Sequence, residues 1–383
     1  MALKQNTWTL NQWYDQDVAG NVDYTGERVL FMSGDNNYGQ LGQNNRTLYS
    51  SPVQLPGTTW NYISGSQDGN TTLVRTDNTL WFLGYNDDGT SGQNGNPFTK
   101  YSSPVQIPGT KWKRSVSVIN SVLATRTDGT LWAWGGNRNG ILGQNQSPPG
   151  GLQSSPIQIP GTTWDEPFGS YNEFVGCNKT DGTLWMWGYG HYGNLGNNDN
   201  DHTNTRSSPI QIPGSTWTNK NVAGVDSMLS LKSDNTLWTW GRNHLGQLGQ
   251  NNRTSYSSPV QIPGTWSDFS IGMRNCHGIK TDGTLWSWGY GNYGSLGLNS
   301  NNDRSSPTQV TGDTWKNIVA AKGAIATKTD GTLWTWGEND EGQGGLNDTV
   351  GRSSPTQIPG SGTWDIENQS NQNGKYYFMT LIK

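Results

Sequence analysis

TDGTLWSWGYGNYGSLG, residues Thr281–Gly297, followed by SSPTQV (Ser305–Val310) and GDTW (Gly312–Trp315), is the clearest copy of a unit that fills most of the chain. Its Ser-Pro step recurs at Pro52, Pro104, Pro156, Pro209, Pro259, Pro307 and Pro355, at intervals of 48 to 53 residues. A fixed period of about 50 residues marks a repeat architecture, in which each unit buries its apolar face against its neighbours. Seven such units, rich in β-formers and turn residues, predict an all-β, seven-bladed β-propeller.

Working outward, each unit reads as about four strands. Asp128-Gly129, Asp181-Gly182, Asp282-Gly283 and Asp330-Gly331 sit between β-rich runs, and Asp77-Asn78 and Asp234-Asn235 hold the same place. These dipeptides predict a two-residue hairpin turn of type I′. A Leu-Trp-x-Trp-Gly strand follows, whose two Trp side chains share one sheet face because they are two residues apart. A loop of the form Gly-x-Asn or Gly-x-Gly comes next. It leads to a Ser-Ser-Pro strand whose prolines suit a sheet edge. The next strand starts at a Thr-Trp step, as at Trp60.

Eighteen of the 20 tryptophans keep phase with the repeat. Exposed tryptophans can stack on sugars, but this phasing favours packing of blade against blade. The first unit lacks the Trp pair, reading Leu30-Phe31-Met32-Ser33-Gly34, and lacks a strand before its hairpin turn. The stretch Tyr376–Lys383 has the look of that missing strand. The ring is therefore expected to close by pairing of the N- and C-terminal strands, which removes an open sheet edge. The domain reading is an arm over residues 1–27 and a propeller over 28–383.

Composition narrows the function classes. Charged residues make up 14%, against about 25% in ordinary domains. A net charge of −4 opposes non-specific attachment to nucleic acid or anionic membrane. No apolar run approaches the ~20 residues of a membrane span, and the N-terminus lacks a Sec-type signal layout. Cys177 and Cys276 fall in the fourth and sixth units, which predicts two free core thiols rather than a disulfide.

The run DNTLWTWGRNHLGQLG, Asp234 through Gly249, with Ser257-Ser258-Pro259 after it, resembles the regulator-of-chromosome-condensation repeat family. The resemblance covers about residues 28–383 and implies the propeller fold. It leaves function open, because that fold serves exchange factors, enzyme regulators, ubiquitin-ligase modules and bacterial effectors. The family's frequent His before the strand leading into the hairpin is missing here, where Gln67-Asp68, Tyr171-Asn172, Asp226-Ser227 and Lys322-Gly323 stand. The short, Asn-rich units look most like versions carried by marine bacteriophages and bacteria.

Other motifs dissolve on inspection. Gly188-Gly190-Gly193 and Gly289-Gly291-Gly294 match G-x-G-x-x-G, but five other units carry Asn36, Asn86, Asn137, Asn243 or Asn339 at the second glycine. A shared tolerance for left-handed backbone explains Gly and Asn there better than dinucleotide binding. Asn197–Asp201 lacks the glycine and terminal Glu of a calcium loop. The four His show no paired ligand spacing. No catalytic set, metal site or cofactor site is expected.

Positions that vary between units on a uniform scaffold are either idle loops or the place where function is written. The loop after each Trp-led strand varies most, and all copies are expected on one face near the axis. They give Gln67, Asp68, Asn120, Tyr171, Asn172, Asp226, Arg274, Asn275 and Lys322 as candidate binding residues for a protein or a glycan. The competing reading is a hydrated, unselected rim. In the arm, Lys4 faces Asp15, Asp17, Asp23 and Glu27, which disfavours a DNA-binding extension. Trp8, Leu10, Trp13 and Tyr14 either staple the arm to the propeller or dock into another protein. The function expected is a non-enzymatic binding propeller, foremost a virion accessory protein or adhesin at the particle surface. It would meet a virion component through the arm and a host-surface protein or glycan through the loops. A bacterial protein-interaction module, cytoplasmic or exported by a non-Sec route, is the alternative. A guanine-nucleotide exchange regulator is third.

Overall fold

The computed structural model describes residues 29–57, 59–66, 69–95, 97–146, 150–170, 172–199, 205–340, 342–359, 364–365 and 377–382. Apart from three single-turn 3-10 segments, at Asp87–Gly89, His191–Gly193 and Asn292–Gly294, every helix or strand among these residues is a strand. The strands group into four-stranded antiparallel sheets. In the fifth repeat, Trp217–Ala223, Ser227–Lys232, Leu237–Gly241 and Tyr256–Ile262 pair in that order. Residues 60–107, 112–159, 164–211, 266–309 and 315–357 follow the same plan. One further sheet runs Tyr49–Gln54, Val29–Gly34, Tyr377–Ile382, Trp364–Asp365, with Val29 opposite Ile382 and Gly34 opposite Tyr377.

The first strands of neighbouring sheets touch one another from residue 60 through residue 320, so they converge on an axis and the Ser-Ser-Pro strands lie outermost. The proline-bearing strands are thus edge strands, where a missing N–H is harmless. The inner strands also have a free edge, and serines of the neighbouring sheet meet it. Ser64 Oγ accepts from Ser117 N at 2.9 Å, and Ser270 Oγ accepts from Ala320 N at 2.9 Å. Buried donors at the axis are satisfied in this way without extending a sheet.

Two local readings need correction. Gly129 N donates to Arg126 O at 3.0 Å and Arg126 N to Thr130 O at 2.9 Å, with Gly129 at φ +78° and Asp128 outside the positive-φ region. The connection is therefore a three-residue hairpin ending in a left-handed bulge residue, rather than a two-residue type I′ turn. Its Asp serves instead as a hydrogen-bond acceptor. Asp128 Oδ1 accepts from Thr130 Oγ1 at 2.7 Å, and Thr130 Oγ1 accepts from Trp132 Nε1 at 2.9 Å. The hydrogen bond from Thr130 holds the Asp128 carboxyl below its ordinary pKa. The second correction concerns the Gly/Asn loop position, which is not left-handed: Asn86 has φ −87°, Gly190 −101° and Gly291 −106°. Asparagine stands there as a brace. Asn243 Oδ1 accepts from Leu248 N at 2.9 Å while Nδ2 reaches Asn252 O and Thr254 O.

The tryptophans divide the work of packing. The second of each pair is buried and crosses to the preceding sheet: Trp240 Nε1 donates to Asn194 O at 2.9 Å, and Trp134, Trp187, Trp288 and Trp336 do likewise. The first stays at home. Trp217 and Trp238 hold Lys232 Nζ at 4.7 and 4.3 Å from their ring centroids. Arg75, Arg126, Lys179, Lys280 and Lys328 sit equivalently. Each such contact contributes about 0.5–2 kcal/mol. Cys177 and Cys276 are free and buried, and burial pushes both thiols above their ordinary pKa.

Neighbouring sheets are also clasped through backbone. Asn198 N donates to Ser257 O of the next repeat at 2.8 Å, and Gly193 lies against that serine's Cα. The same bond joins Asn44 to Ser102, Asn94 to Ser154, Asn145 to Ser207, Asn251 to Ser305 and Asn299 to Ser353. These six asparagines all have positive φ, between 51° and 62°.

This packing has measurable consequences. A methyl group on Gly196, at φ +66°, would stand 2.8 Å from Trp240 Nε1, whereas Gly151 has open space around it. Gly196→Ala is expected to lower stability by about 1–3 kcal/mol in urea unfolding, with Gly151→Ala within ~0.5 kcal/mol of the parent. Deleting residues 376–383 strips Val29–Gly34 of one of its two partners, leaving only Tyr49–Gln54 beside it. The shortened chain is expected to lose its cooperative melt and aggregate; an unchanged melting curve would show the strand to be dispensable.

Candidate binding face

Because the sheets are antiparallel, the loop between the first and second strands and the loop after the third open on the same face. Ser227, at the start of one second strand, pairs with Gly241 at the end of the third. The varied loops therefore share a face, in two concentric sets. The sequence reading saw only the inner set. The outer set, the four residues after the glycine of each Leu-Trp third strand, differs from repeat to repeat in the same way: Tyr85 to Asp88, Gly136 to Asn139, Tyr189 to Tyr192, Arg242 to Leu245. Applying the variation test to that loop would have found it.

Gln67, Asp68 and Tyr171 lie outside the described residues, as do Trp8, Leu10, Trp13 and Tyr14 of the arm. The other candidates are placed and do different jobs. Asn172 and Asp226 come together: Asn172 Nδ2 donates to Asp226 Oδ1 at 2.6 Å, and Arg242 Nη1 meets Asp226 Oδ2 at 3.1 Å. Asp226 is only 5% exposed, so its charge is held inside by these two partners. Asn120 is buried, and its neighbours set its amide: nitrogen toward Asp87 Oδ2 at 3.3 Å, oxygen toward Arg138 Nη2 at 3.2 Å. Lys322 is ion-paired with Glu338. Arg274 accepts Tyr290 N on its carbonyl, and its charge, with that of Arg242, adds to burial in holding His244 below its ordinary pKa.

Asn275 turns inward, into a relay absent from the sequence reading. Its Nδ2 meets His277 Nε2 at 3.2 Å, and His277 Nδ1 meets Ser287 Oγ at 2.7 Å. With the amide donating to Nε2, Nδ1 carries the proton and the ring is neutral. Burial brings the His277 pKa down to about 3.

Between the third, fourth and fifth repeats the face opens into a cleft of about 440 Å³. Asn172 and Asp226 line it together with Glu173, Tyr189, Tyr192 and Arg242. Arg242 lies 4.4 Å above the Tyr192 ring, and the His191 ring packs between those of Tyr189 and Tyr192. Among the described residues no three or more His, Cys, Asp or Glu are gathered as for a metal ion. Asp199, from the Asn-rich insertion, pairs with Arg206 at 3.3 Å.

Repeats with this strand order, Trp pairing and clasp are matched by a family model. The one described as "Regulator of chromosome condensation (RCC1) repeat" fits residues 181–226, 234–274, 282–323 and 330–366. Those four stretches are RCC1 repeats. Two relatives share its repeats at low identity. The ultraviolet-B receptor UVR8 of Arabidopsis thaliana is 25% identical over 61% of this chain and 53% of its own length. The human E3 ubiquitin-protein ligase HERC2 is 27% identical over 62% of this chain and 5% of its own. The matched region thus spans about half of one relative and a small part of the other. The solved structure of Prp20p from Saccharomyces cerevisiae superposes with a TM-score of 0.78 at 18% identity, covering 94% of this chain and 92% of that one. This likeness is one of fold: an RCC1-type propeller.

The buried neutral histidine fixes a pH dependence. Its folded pKa lies below the unfolded value of about 6.5, so its contribution is complete above that pH and is lost as pH falls toward 3. Between pH 6.5 and pH 5 the free energy of unfolding is expected to fall by up to ~1.4 kcal/mol per pH unit from this group. His277→Gln should flatten that part of the profile. An unchanged slope in the variant would assign the dependence elsewhere.

Proposed function

We propose that this chain, which carries RCC1 repeats, is a non-enzymatic binding propeller, holding a protein partner on the face that carries both loop sets. The observation that carries the reading is the contrast between halves of each repeat. The clasp, the Trp pairs and the Asp-Thr-Trp relays recur nearly unchanged, while the loops on one face differ in charge, size and aromatic content. The relatives give the reading its class: Prp20p was studied for binding to Gsp1p and histones, and HERC2 and UVR8 are a ligase and a receptor. The four-stranded sheets form seven blades of one ring in this reading. Support comes from the pairing of Val29–Gly34 with Tyr377–Ile382 and from Asn347, at φ +59°, which has the conformation of the six clasping asparagines.

A second reading places the protein at a virion surface, with residues 1–27 as the attachment element. Its support is the Trp8, Leu10, Trp13, Tyr14 cluster, which has no counterpart in the repeats.

The test captures partners on the immobilised full chain and confirms each by calorimetry with purified components. Replacing Tyr171, Arg274 and Lys322 together by alanine is expected to weaken binding about thirtyfold or more, the cost of ~2 kcal/mol typical of central anchors. Asp313→Ala, an exposed residue between the outer strand and the next inner one, should leave binding intact. The opposite pattern would move the interface to the other face. Partners confined to particle fractions, and lost on changing Trp8 and Trp13, would favour the virion setting.

A further inference from the structure

The cleft between the third, fourth and fifth repeats has a chemistry of its own. Its walls are aromatic: Tyr189 and Tyr192 flank His191, with centroid separations of 5.3 and 3.8 Å. Its floor is polar, yet its charges are already answered from within the protein. Asp226 is held by Asn172 on one oxygen and Arg242 on the other. Glu173 accepts from the Asn139 amide. An anionic ligand would have to compete with Asp226 for Arg242, and a cationic one would meet the guanidinium. Arg242 and His191 already lie against the Tyr192 ring, so the cleft offers the Tyr189 ring beside amide, carboxylate and guanidinium hydrogen-bonding groups. At about 440 Å³ the space falls in the ~300–1,000 Å³ range of small-molecule sites.

We infer that this cleft binds a neutral saccharide, one or two pyranose units, with an apolar C–H face on Tyr189, hydroxyls on Asn172, Asp226 and Arg242, and Tyr192 as the ring that holds Arg242 in place. A pyranose pairs an apolar face with a rim of groups that both donate and accept. That matches an aromatic ring set against mixed donors and acceptors. The site belongs to one seam of the molecule. Tyr-Gly-x-Tyr occurs in the fourth and sixth repeats, as Tyr189–Tyr192 and Tyr290–Tyr293, but only the fifth repeat places Arg at the loop's first position. The Tyr, Asp and Arg groups therefore converge at this junction. The inference is tested apart from the protein-binding reading, since the variants at Tyr189 and Tyr192 differ from those at Tyr171, Arg274 and Lys322.

The test is saturation-transfer NMR and calorimetry on the full chain, with glucose, galactose, N-acetylglucosamine, lactose and cellobiose as probes up to ~10 mM. At least one probe is expected to saturate, with a millimolar or tighter dissociation constant. Tyr192 has φ +57°, so Tyr192→Asn is the tolerant replacement; Tyr189→Leu is a second variant that keeps an ordinary backbone. Each is expected to weaken binding about tenfold, while Tyr293→Asn, on the exposed tyrosine of the sixth repeat, leaves it unchanged. Melting curves establish that the variants are folded; if one is not, the other decides. The inference is overturned if no neutral probe saturates, if binding survives in the folded variant, or if sialyllactose or acetyl-lysine amide binds in preference.

Discussion

The constraint on which the molecule depends is a single hydrogen bond between repeats. An asparagine amide in the loop of one unit donates to the serine carbonyl of the next unit's outer strand, at 2.7 to 2.8 Å in all six described copies. A sheet of four short strands cannot bury its own apolar face, so each depends on the next. The bond fixes how far apart two sheets stand and how one is rotated on the other. Glycines beside it, at Gly193 and Gly196, let the loop lie against the next serine and beneath the next tryptophan. Side-chain packing then follows from backbone spacing.

This economy explains a chain with so few charges. Six of its 25 Lys and Arg side chains are structural, lying between paired Trp rings, 3.9 to 5.5 Å from the centroids. Six Asp side chains serve hairpins, each holding a Thr that in turn holds a Trp. Residues that look like scattered surface charge in the sequence are thus committed to the scaffold. Charge left to vary stands at the loops of one face and on the inner strands, where Lys113–Asp165, Arg114–Glu166 and Lys220–Asp268 pair across neighbouring sheets.

On that face, uniformity below and diversity above go together. Identical clasps place the varied loops at regular positions, so changing one loop does not disturb its neighbour's support. A cleft arises where three consecutive repeats supply complementary groups: aromatic rings from the fourth, a carboxylate and guanidinium from the fifth, and an edge from the third. A repeat scaffold can build a composite site of this kind without altering its core.

The period of the Ser-Pro step, the Asp-Gly turns and the phased tryptophans determined the all-β repeat architecture from sequence alone, because each is a local pattern that a strand or turn must satisfy. The same patterns identified the varied loops after the Trp-led strands as sharing one face. Tertiary structure decided what each residue does there. Asn275 and Asn172 are equally polar in sequence, yet one is sealed beside His277 and the other lies in a cleft. Arg242 stands out in sequence as a varied loop position, but only the fold sets it opposite Asp226, in a different loop of the same repeat. The asparagines at Gly-x-Asn read as left-handed turn residues, while the structure uses them as braces and assigns the left-handed backbone to Asn198 and its equivalents. Composition records that a residue tolerates a conformation or carries a charge. Which partner it meets depends on the rotation between neighbouring sheets, and that is set by contacts about 50 residues apart.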